Sequence, residues 1–356
     1  MTDRRPNTSA RLGRCLAGLV ASVVFAVAPA RAQDAVAQFY KGKQVAIVVG
    51  TAAGGGYDAY ARFIARYLRK HIPGNPNVIV SNMPGAGSNT AGHYIYAVAP
   101  KDGTQIGAIF GGAMIEPLLG VRNVELDPSR FQYLGSANDD VYICIARKDA
   151  PTQTFKDVLD RELTVGASGA SPGADISWLL KNVLRAKFKI VLGYIGSRAV
   201  MLAIGRNEVQ GACGFAWPSI SVTNPSWFGP NGFMRVLVQT HGKGHPELNA
   251  AGVPLASAFA RTDEERAIME LYFSHTTFGR PYVVAPEVPK ERVAALRTAF
   301  MATMKDPEFV AEAGKAGMDI DAVDGDEVQR LIAKMYSAPP ELIAKMKKAL
   351  QPANSP

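Results

Sequence analysis

The run Gln44-Val-Ala-Ile-Val-Val49 is apolar and rich in β-branched residues, and the glycine-rich turn Gly50-Thr-Ala-Ala-Gly-Gly-Gly56 follows it directly. A continuous apolar run of this length is typical of a strand buried on both faces of a parallel sheet. From 58 to 70 the apolar residues recur three and four positions apart, as on a helix that packs one face against a sheet. This strand, turn and helix predict an α/β fold.

The same order recurs along the chain in two series, with a second series from about 137. The patterns predict strands at 77–81, 105–110, 141–146, 163–166, 189–193, 209–215, 235–239 and 282–285, and helices at 89–98, 154–161, 174–186 and 199–204. From Pro289 onward the chain is predicted to be helical, with further helices near 307–316, 325–336 and 339–350. We expect two lobes, each a mainly parallel sheet flanked by helices, with the chain crossing between them twice. Lobe 1 is predicted to comprise 33–136 and 280–356, and lobe 2 to comprise 137–279.

The first 32 residues have the pattern of a secretory signal peptide. Four arginines precede an apolar run at 15–30, and Ala30-Arg-Ala32 is a small-x-small cleavage pattern. The run is shorter than the roughly 20 residues that span a bilayer, which favours cleavage after Ala32 over a retained anchor. The mature protein is therefore expected in the periplasm.

Export also changes the net charge. The whole chain has 39 Lys and Arg against 31 Asp and Glu, a formal charge of +8. Residues 1–32 contain five Arg and one Asp, so the mature chain would carry 34 basic and 30 acidic side chains, or +4. The remaining basic residues are scattered, which argues against a nucleic-acid partner.

Three glycine-rich turns each follow a predicted strand and open a predicted helix, at 54–56, 85–87 and 166–173. Backbone N–H groups at such a helix start, together with the helix dipole, can hold an anion without a dedicated Lys or Arg. Any one of these turns could equally be an ordinary tight connection. Three of them, with Ser, Asn or Thr nearby, favour a small anionic ligand between the lobes. The first turn lacks the dinucleotide pattern G-x-G-x-x-G and the acidic residue about twenty positions later.

Several motifs resemble, in order and spacing, the solute-binding receptors of tripartite tricarboxylate transporters, the Bug-type receptors. These motifs are Ala53-Gly-Gly-Gly-Tyr-Asp58, Asn82-Met-Pro-Gly-Ala-Gly87, Ala99-Pro-Lys-Asp-Gly-Thr104, Gly193-Tyr-Ile-Gly196 and Val284-Ala-Pro-Glu-Val-Pro-Lys290. The resemblance extends from about residue 40 to the end. It implies a two-lobed periplasmic binding protein, a type II-like "Venus flytrap", that captures a small carboxylate and delivers it to a membrane permease.

The family's ligand-contacting loops fall on a defined set of positions in this sequence. They are Gly54, Gly55, Gly56 and Asp58; Pro84, Gly85 and Gly87; and Ala167, Ser168, Gly169 and Ser171. To these we add Gly111, which follows a predicted strand. The sequence departs from the family at Pro172-Gly-Ala-Asp175 and Ile195-Gly-Ser-Arg-Ala-Val200, so the resemblance leaves the identity of the ligand open.

Individual side chains allow two interpretations each. Arg198 could pair with a ligand carboxylate or be a solvated residue at a helix start. Asp58 could cap its helix or reach a ligand amino or hydroxyl group, and capping is favoured. Tyr194 could donate to the ligand or only pack. Phe110 and Phe215 could line an apolar wall for an aromatic acid or belong to lobe packing.

Cys144 and Cys213 both lie in predicted strands of lobe 2, and sequence alone leaves a disulfide and two buried thiols as alternatives.

We expect no chemical step, no cofactor and no metal. The sequence has no H-E-x-x-H motif, and the stretch around Ser168 misses the G-x-S-x-G elbow at its last residue. The alternative is a secreted α/β hydrolase or a nucleotide-binding enzyme. The expected partners are a small carboxylate and the permease subunits, and the receptor is expected to be a monomer.

Overall fold

The computed structural model describes residues 1–2, 27–120, 126–168 and 171–352. Most of the predicted signal peptide lies outside these residues, and so do Gly169 and Ala170. The predicted cleavage point after Ala32 falls within the first described helix, Val27–Tyr40.

The strands are β1 (Gln44–Val49), β2 (Asn77–Asn82), β3 (Gln105–Ala108), β4 (Gln132–Ser136), β5 (Tyr142–Arg147), β6 (Leu163–Gly166), β7 (Phe188–Val191), β8 (Gly211–Ala216), β9 (Met234–Gln239), β10 (Pro281–Val284) and β11 (Val323–Asp324). The α-helices are α1 (Val27–Tyr40), α2 (Gly56–His71), α3 (Asn89–His93, continued by a π-helical turn, Tyr94–Val98), α4 (Glu116–Leu119), α5 (Phe155–Asp160), α6 (Pro172–Leu184), α7 (Gly196–Gly205), α8 (Trp217–Thr223), α9 (Pro246–Ala250), α10 (Asp263–Phe273), α11 (Lys290–Met304), α12 (Pro307–Lys315), α13 (Gly325–Tyr336) and α14 (Pro340–Ala349).

These strands form two sheets. One is six-stranded with the order β11-β4-β10-β3-β1-β2, and the other is five-stranded with the order β7-β6-β8-β5-β9. We call each sheet with its flanking helices lobe 1 and lobe 2, respectively. The predicted fold class, two α/β lobes of a periplasmic binding protein, is confirmed. The exact lobe boundaries stay a prediction.

Both sheets are mixed, because each contains strands that run against the majority. β1 pairs in parallel with β2 and β3, whereas β10 runs antiparallel to both β3 and β4. In lobe 2, β6 is parallel to β7 and β8, whereas β5 is antiparallel to β8 and β9. β5 and β10 are reversed because the chain enters each of them from the other lobe, at the edge where most strands end.

The two connecting segments, 137–141 and 274–280, lie side by side. The N–H of Ala137 donates to the carbonyl of Arg280 over 3.1 Å, and the N–H of Asp140 donates to that of Thr276 over 2.8 Å. We call this pair of segments the crossing. Its first segment joins β4 of lobe 1 to β5 of lobe 2, and its second joins α10 of lobe 2 to β10 of lobe 1, so both lobes meet at the carboxyl ends of their parallel strands. In doubly wound sheets this edge is where ligands bind.

Each sheet packs its helices through a buried apolar face. In lobe 1, Ile47 of β1, Ile64 of α2 and Phe300 of α11 belong to one buried cluster. Another buried cluster contains Val165 of β6 and Leu180 of α6, and it continues into lobe 1, where it includes Tyr133 of β4. The last helix, α14, packs on α6 and α10, and the Asn182 side chain donates to the carbonyl of Ala349 over 2.9 Å.

Candidate functional site

The glycine turn after β1 presents free backbone donors at the start of α2. The first bond of this helix runs from the Ala59 N–H to the Gly55 carbonyl over 2.9 Å. The N–H groups of Gly56, Tyr57 and Asp58 therefore have no acceptor within the helix. No side chain caps the helix start, and Gly54, Gly55 and Gly56 are exposed. This end of α2 can accept an anion.

Asp58 holds that turn in shape. Its buried carboxylate accepts from the Gly54 N–H over 2.8 Å, from Arg62 Nε over 2.9 Å and from Asn82 Nδ2 over 2.9 Å. The hydrogen bond from Arg62 is the largest cause that lowers the pKa of Asp58, to about 2. The predicted helix cap is wrong, because Asp58 accepts from no N–H at the start of α2. Its carboxylate instead holds the turn before the helix, and both carboxylate oxygens already have partners within the protein.

The turn after β2 lies beside the first one. Pro84, Gly85 and Gly87 are exposed, and both glycines have positive φ, 142° and 62°. Ser88 connects this turn to the next strand, since its Oγ accepts from the N–H of Phe110 over 3.1 Å. A Cβ on Gly50 would overlap Ser88, which explains the glycine that ends β1.

Lobe 2 contributes a small cavity at the ends of β6 and β8, with a volume of about 210 Å³. The predicted residues Ala167, Ser168 and Ser171 line it, together with Gly166, Pro172, Gly173, Ser197, Val200, Cys213, Gly214 and Phe215. None of these side chains carries a formal charge. Sequence reasoning did not single out Ser197.

The start of α6 offers fewer donors than the start of α2. Pro172 occupies its first position and has no N–H, and the N–H of Ala174 already donates to Ser171 Oγ over 3.3 Å. The hydroxyl of Ser171 in turn donates to the Ser168 carbonyl over 3.0 Å. The start of α2 therefore offers more free N–H groups than the start of α6, and the cavity of lobe 2 adds hydroxyls and the ring of Phe215.

Tyr194 and Arg198 lie at the rim of this cavity. The Tyr194 ring approaches within 3.1 Å of the position that a Cβ on Gly166 would take. Arg198 is exposed and forms no salt bridge with any residue that the structure describes. The structure thus leaves the guanidinium of Arg198 accessible to an anion and places Tyr194 beside Gly166, which lines the cavity.

Gly111 is buried at the crossing. A Cβ there would lie 3.0 Å from the Phe278 carbonyl oxygen and 3.3 Å from that of His275. The predicted ligand contact of Gly111 stays a prediction, and what the structure shows is a close approach between lobe 1 and the crossing.

Sequence reasoning missed a buried ion pair behind the α2 turn. Arg280 Nη1 donates to Asp140 Oδ1 over 2.8 Å and to Asn138 Oδ1 over 2.6 Å. The guanidinium also lies 4.2 Å from the ring centroid of Tyr60. The only sequence signal was a charged residue directly before an apolar strand, at the point where the chain was expected to cross.

The same arginine marks where the lobes come together. A Cβ on Gly56 would lie 3.9 Å from Arg280 Nη2 and 3.7 Å from the hydroxyl of Ser219, which belongs to α8 of lobe 2. Farther from the crossing, the loops after β2 and β7 are exposed, and the Ile195 side chain is 93% exposed. The lobes thus approach each other closely near the crossing, whereas the loops 83–87 and 192–197, which we call the mouth, are exposed.

Cys144 and Cys213 form a disulfide between β5 and β8, and the two residues are direct partners in the register of these strands. This resolves the alternative that the sequence left open.

The described residues contain no group of three or more His, Cys, Asp and Glu side chains that could hold a metal ion. Within the same part of the chain, no helix is both long enough and apolar enough to cross a membrane. None of the five histidines is among the described residues that line the cavity around Ser168.

The two-lobed architecture is similar to that of solved structures. BugD, a periplasmic binding protein, superposes with a TM-score of 0.65 at 21% identity, over 87% of this chain and 98% of that one. The chain has the fold of a Bug-type periplasmic binding protein. Rpa4515 of R. palustris, solved with adipate, shares the Bug-type fold with a TM-score of 0.63 at 22% identity, over 86% of this chain and 97% of that one.

Comparison of the sequence with known proteins gives a weaker similarity than comparison of the structure does. No family model matches the chain. A curated UPF0065 protein of Agrobacterium vitis is 28% identical over 195 residues, which cover 52% of this chain and 53% of that protein. The chain therefore matches about half the length of this relative, whereas the Bug-type fold extends over most of the chain.

Proposed function

We propose that this protein is a periplasmic solute-binding receptor that captures a small carboxylate for a tripartite tricarboxylate-type membrane transporter. The ligand is a mono-, di- or tricarboxylate, aromatic acids included. The observation that carries the proposal is the exposed, uncapped start of α2, where three N–H groups have no helical acceptor. Such a helix start binds anions through its free N–H groups and the positive end of its dipole.

The carboxylate sits on the lobe 1 side of the cleft, at Gly56 and its neighbours. Gly54, Gly55 and Asp58 keep the turn in place, and Pro84, Gly85 and Gly87 form the adjoining wall. Asp58 supports this role because its carboxylate is already bonded to Gly54, Arg62 and Asn82.

The remainder of the ligand enters the lobe 2 cavity, with Ala167, Ser168, Ser171 and Tyr194 as its predicted contacts. Ser219, which approaches Gly56, follows Phe215 by four residues, so the cavity and the start of α2 are neighbours in the cleft. The cavity offers hydroxyls and the Phe215 ring, which suit an acid with a short polar or apolar body. Arg198 at the rim is available for a second carboxylate. Adipate, with which Rpa4515 was solved, is an acid of this kind.

Binding closes the lobes by rotation at the crossing, and the closed form is what the permease recognises. Export through the predicted signal peptide brings the receptor to the compartment where the neighbour BugD is described as acting. No covalent chemistry is involved.

The test is a thermal-shift screen followed by calorimetry. The panel contains acetate, succinate, malate, adipate, citrate and benzoate, with maltose and AMP as ligands of other classes. At least one acid should raise the melting temperature, because a ligand that binds only the folded state stabilises it by mass action. The rise should increase with the concentration of that acid. A shift with maltose or AMP and none with any acid would contradict the proposal.

A further inference from the structure

The two lobes are also connected by polar contacts outside the ligand cleft. Lys243 Nζ lies 2.8 Å from Asp321 Oδ2, and His245 Nε2 lies 3.0 Å from Asp319 Oδ2. The histidine follows β9 of lobe 2, and the aspartates precede β11 of lobe 1. We call these two contacts the rear latch.

Each half of the rear latch is fixed to its own lobe. In lobe 2, the N–H of His245 donates to Gln239 Oε1 over 2.7 Å, and Asn249 Nδ2 donates to the Lys243 carbonyl over 3.0 Å. In lobe 1, the hydroxyl of Tyr60 donates to the carbonyl of Asp319 over 2.9 Å. A rotation of one lobe relative to the other therefore changes the distance between the backbones that carry the two halves of the latch.

The imidazole is oriented for its contact. The N–H of Glu247 donates to His245 Nδ1 over 3.3 Å, so Nε2 is the nitrogen that carries the proton and donates to Asp319. Lys243 Nζ also lies 3.1 Å from Asp139 Oδ2 in the crossing. The latch is thus adjacent to the segments about which the lobes rotate.

The order of the strands shows on which side of the crossing the latch lies. β11 is beyond β4 in lobe 1, on the side away from β2, and β9 is beyond β5 in lobe 2, on the side away from β7. The mouth consists of the loops that follow β2 and β7. The crossing segments adjoin β4 and β10 in lobe 1 and β5 in lobe 2. In both sheets these strands lie between the mouth and the latch.

We infer that the rear latch holds the open form and opposes ligand binding, an inference that rests on the proposed function. A rotation that brings the mouth loops together separates the edges behind the crossing, and this pulls Lys243 and His245 away from Asp321 and Asp319. The apparent affinity of a receptor that binds in its closed form depends on the fraction already closed. Weakening the latch therefore increases affinity, although no latch residue touches the ligand.

The test is calorimetry with adipate, and with the other acids of the panel, on the full chain and its Asp321→Ala and Asp319→Ala variants. Each variant should bind about two- to fivefold more tightly, the range set by the small strength of exposed ion pairs. Glu327→Ala is the matched control, because it removes an exposed acid that pairs with Arg330 inside α13 of lobe 1. Its affinity should equal that of the unaltered chain.

A purely structural role would give a different result, since local damage lowers both the melting temperature and the affinity. Unchanged or weaker binding in both latch variants, with binding intact in the unaltered chain, would overturn the inference and leave the proposed function in place. If none of the acids binds the unaltered chain, the proposed function fails and the latch inference fails with it.

Discussion

Arg280 and Asp140 form an ion pair across the crossing, and each side chain is only 3% exposed. Asp140 precedes β5, and Arg280 precedes β10, so this pair links the two segments of the crossing. The hydroxyl of Tyr57, one residue into α2, donates to the Gly279 carbonyl over 2.5 Å and so attaches the proposed ligand-binding turn to the same segments. The proposed ligand site and the crossing are therefore connected directly.

The first prediction is that Asp140→Ala strongly destabilises the protein. It leaves the guanidinium of Arg280 buried without its carboxylate, which costs about 3–5 kcal/mol in buried ion pairs. Urea unfolding measures the loss. Glu208→Ala, at an exposed pair with Arg206 in lobe 2, is the control and should change the free energy of unfolding by less than about 1 kcal/mol. Equal effects of the two substitutions would contradict a structural role for the buried pair.

The second prediction concerns the free N–H of Gly56. Proline is favoured at the first position of a helix, and the extended backbone of Gly55 (φ −85°, ψ 172°) suits a residue before proline. Gly56→Pro should therefore preserve the fold while it removes one proposed donor to the ligand. A hydrogen bond to a charged group contributes about 1.5–3 kcal/mol, so carboxylate affinity in calorimetry should fall at least about tenfold.

Gly56→Ala is the control for this experiment, because it keeps the N–H. Its Cβ would meet no atom closer than 3.7 Å, so the affinity should stay near that of the unaltered chain. Equal affinities of the proline and alanine variants would show that this N–H does not bind the ligand.

The third prediction concerns the disulfide between Cys144 and Cys213, which closes a segment of 69 residues. Chain-entropy arguments give a stabilisation of about 4 kcal/mol for a loop of this length. The double variant Cys144→Ala/Cys213→Ala should unfold at lower urea concentration, and dithiothreitol should shift the unaltered chain but not this variant. If denatured protein binds alkylating reagent at both cysteines without reduction, the disulfide is absent.

The sequence predicted those elements whose limits are set locally. β1 and β6 begin and end as predicted, since each is an apolar run stopped by glycine, and α13 has the predicted bounds of 325–336. α10 was missed, although Thr262 accepts from the Glu265 N–H at its start, a capping pattern that the sequence contains. β4 was missed for another reason: Gly135 interrupts it, and its pairing partners, β10 and β11, are remote in the chain.

The same distinction applies to the candidate site. The glycine turns were predictable, because their position between a strand and a helix fixes where their N–H groups lie. Arg280 and Asp140 were not, since a buried ion pair between residues 140 positions apart becomes visible only when the two crossing segments are seen together. The unequal supply of N–H groups from α2 and α6 likewise depends on caps and first-turn bonds, which the motifs alone do not specify.

The last prediction is a pH dependence of stability that arises at Asp175, on α6. Burial raises the pKa of this carboxyl from 3.8 to about 6, although the hydroxyl of Tyr272 donates to it over 3.3 Å. Because the folded pKa lies above the ordinary value, the stability that the protonated carboxyl contributes is present below about pH 4 and is lost as the pH rises towards 6. The asparagine in Asp175→Asn cannot ionise. The free energy of unfolding of this variant should therefore exceed that of the unaltered chain by an amount that grows over this interval and then levels off, at up to about 3 kcal/mol.

Urea unfolding of both proteins at pH 4, 5, 6 and 7 measures this difference in the free energy of unfolding, with Asp160→Asn, at an exposed position on α5, as the control. A difference that stays constant from pH 4 to 7 would contradict the prediction, because only a group that ionises at a different pH in the folded and unfolded chains can produce the rise.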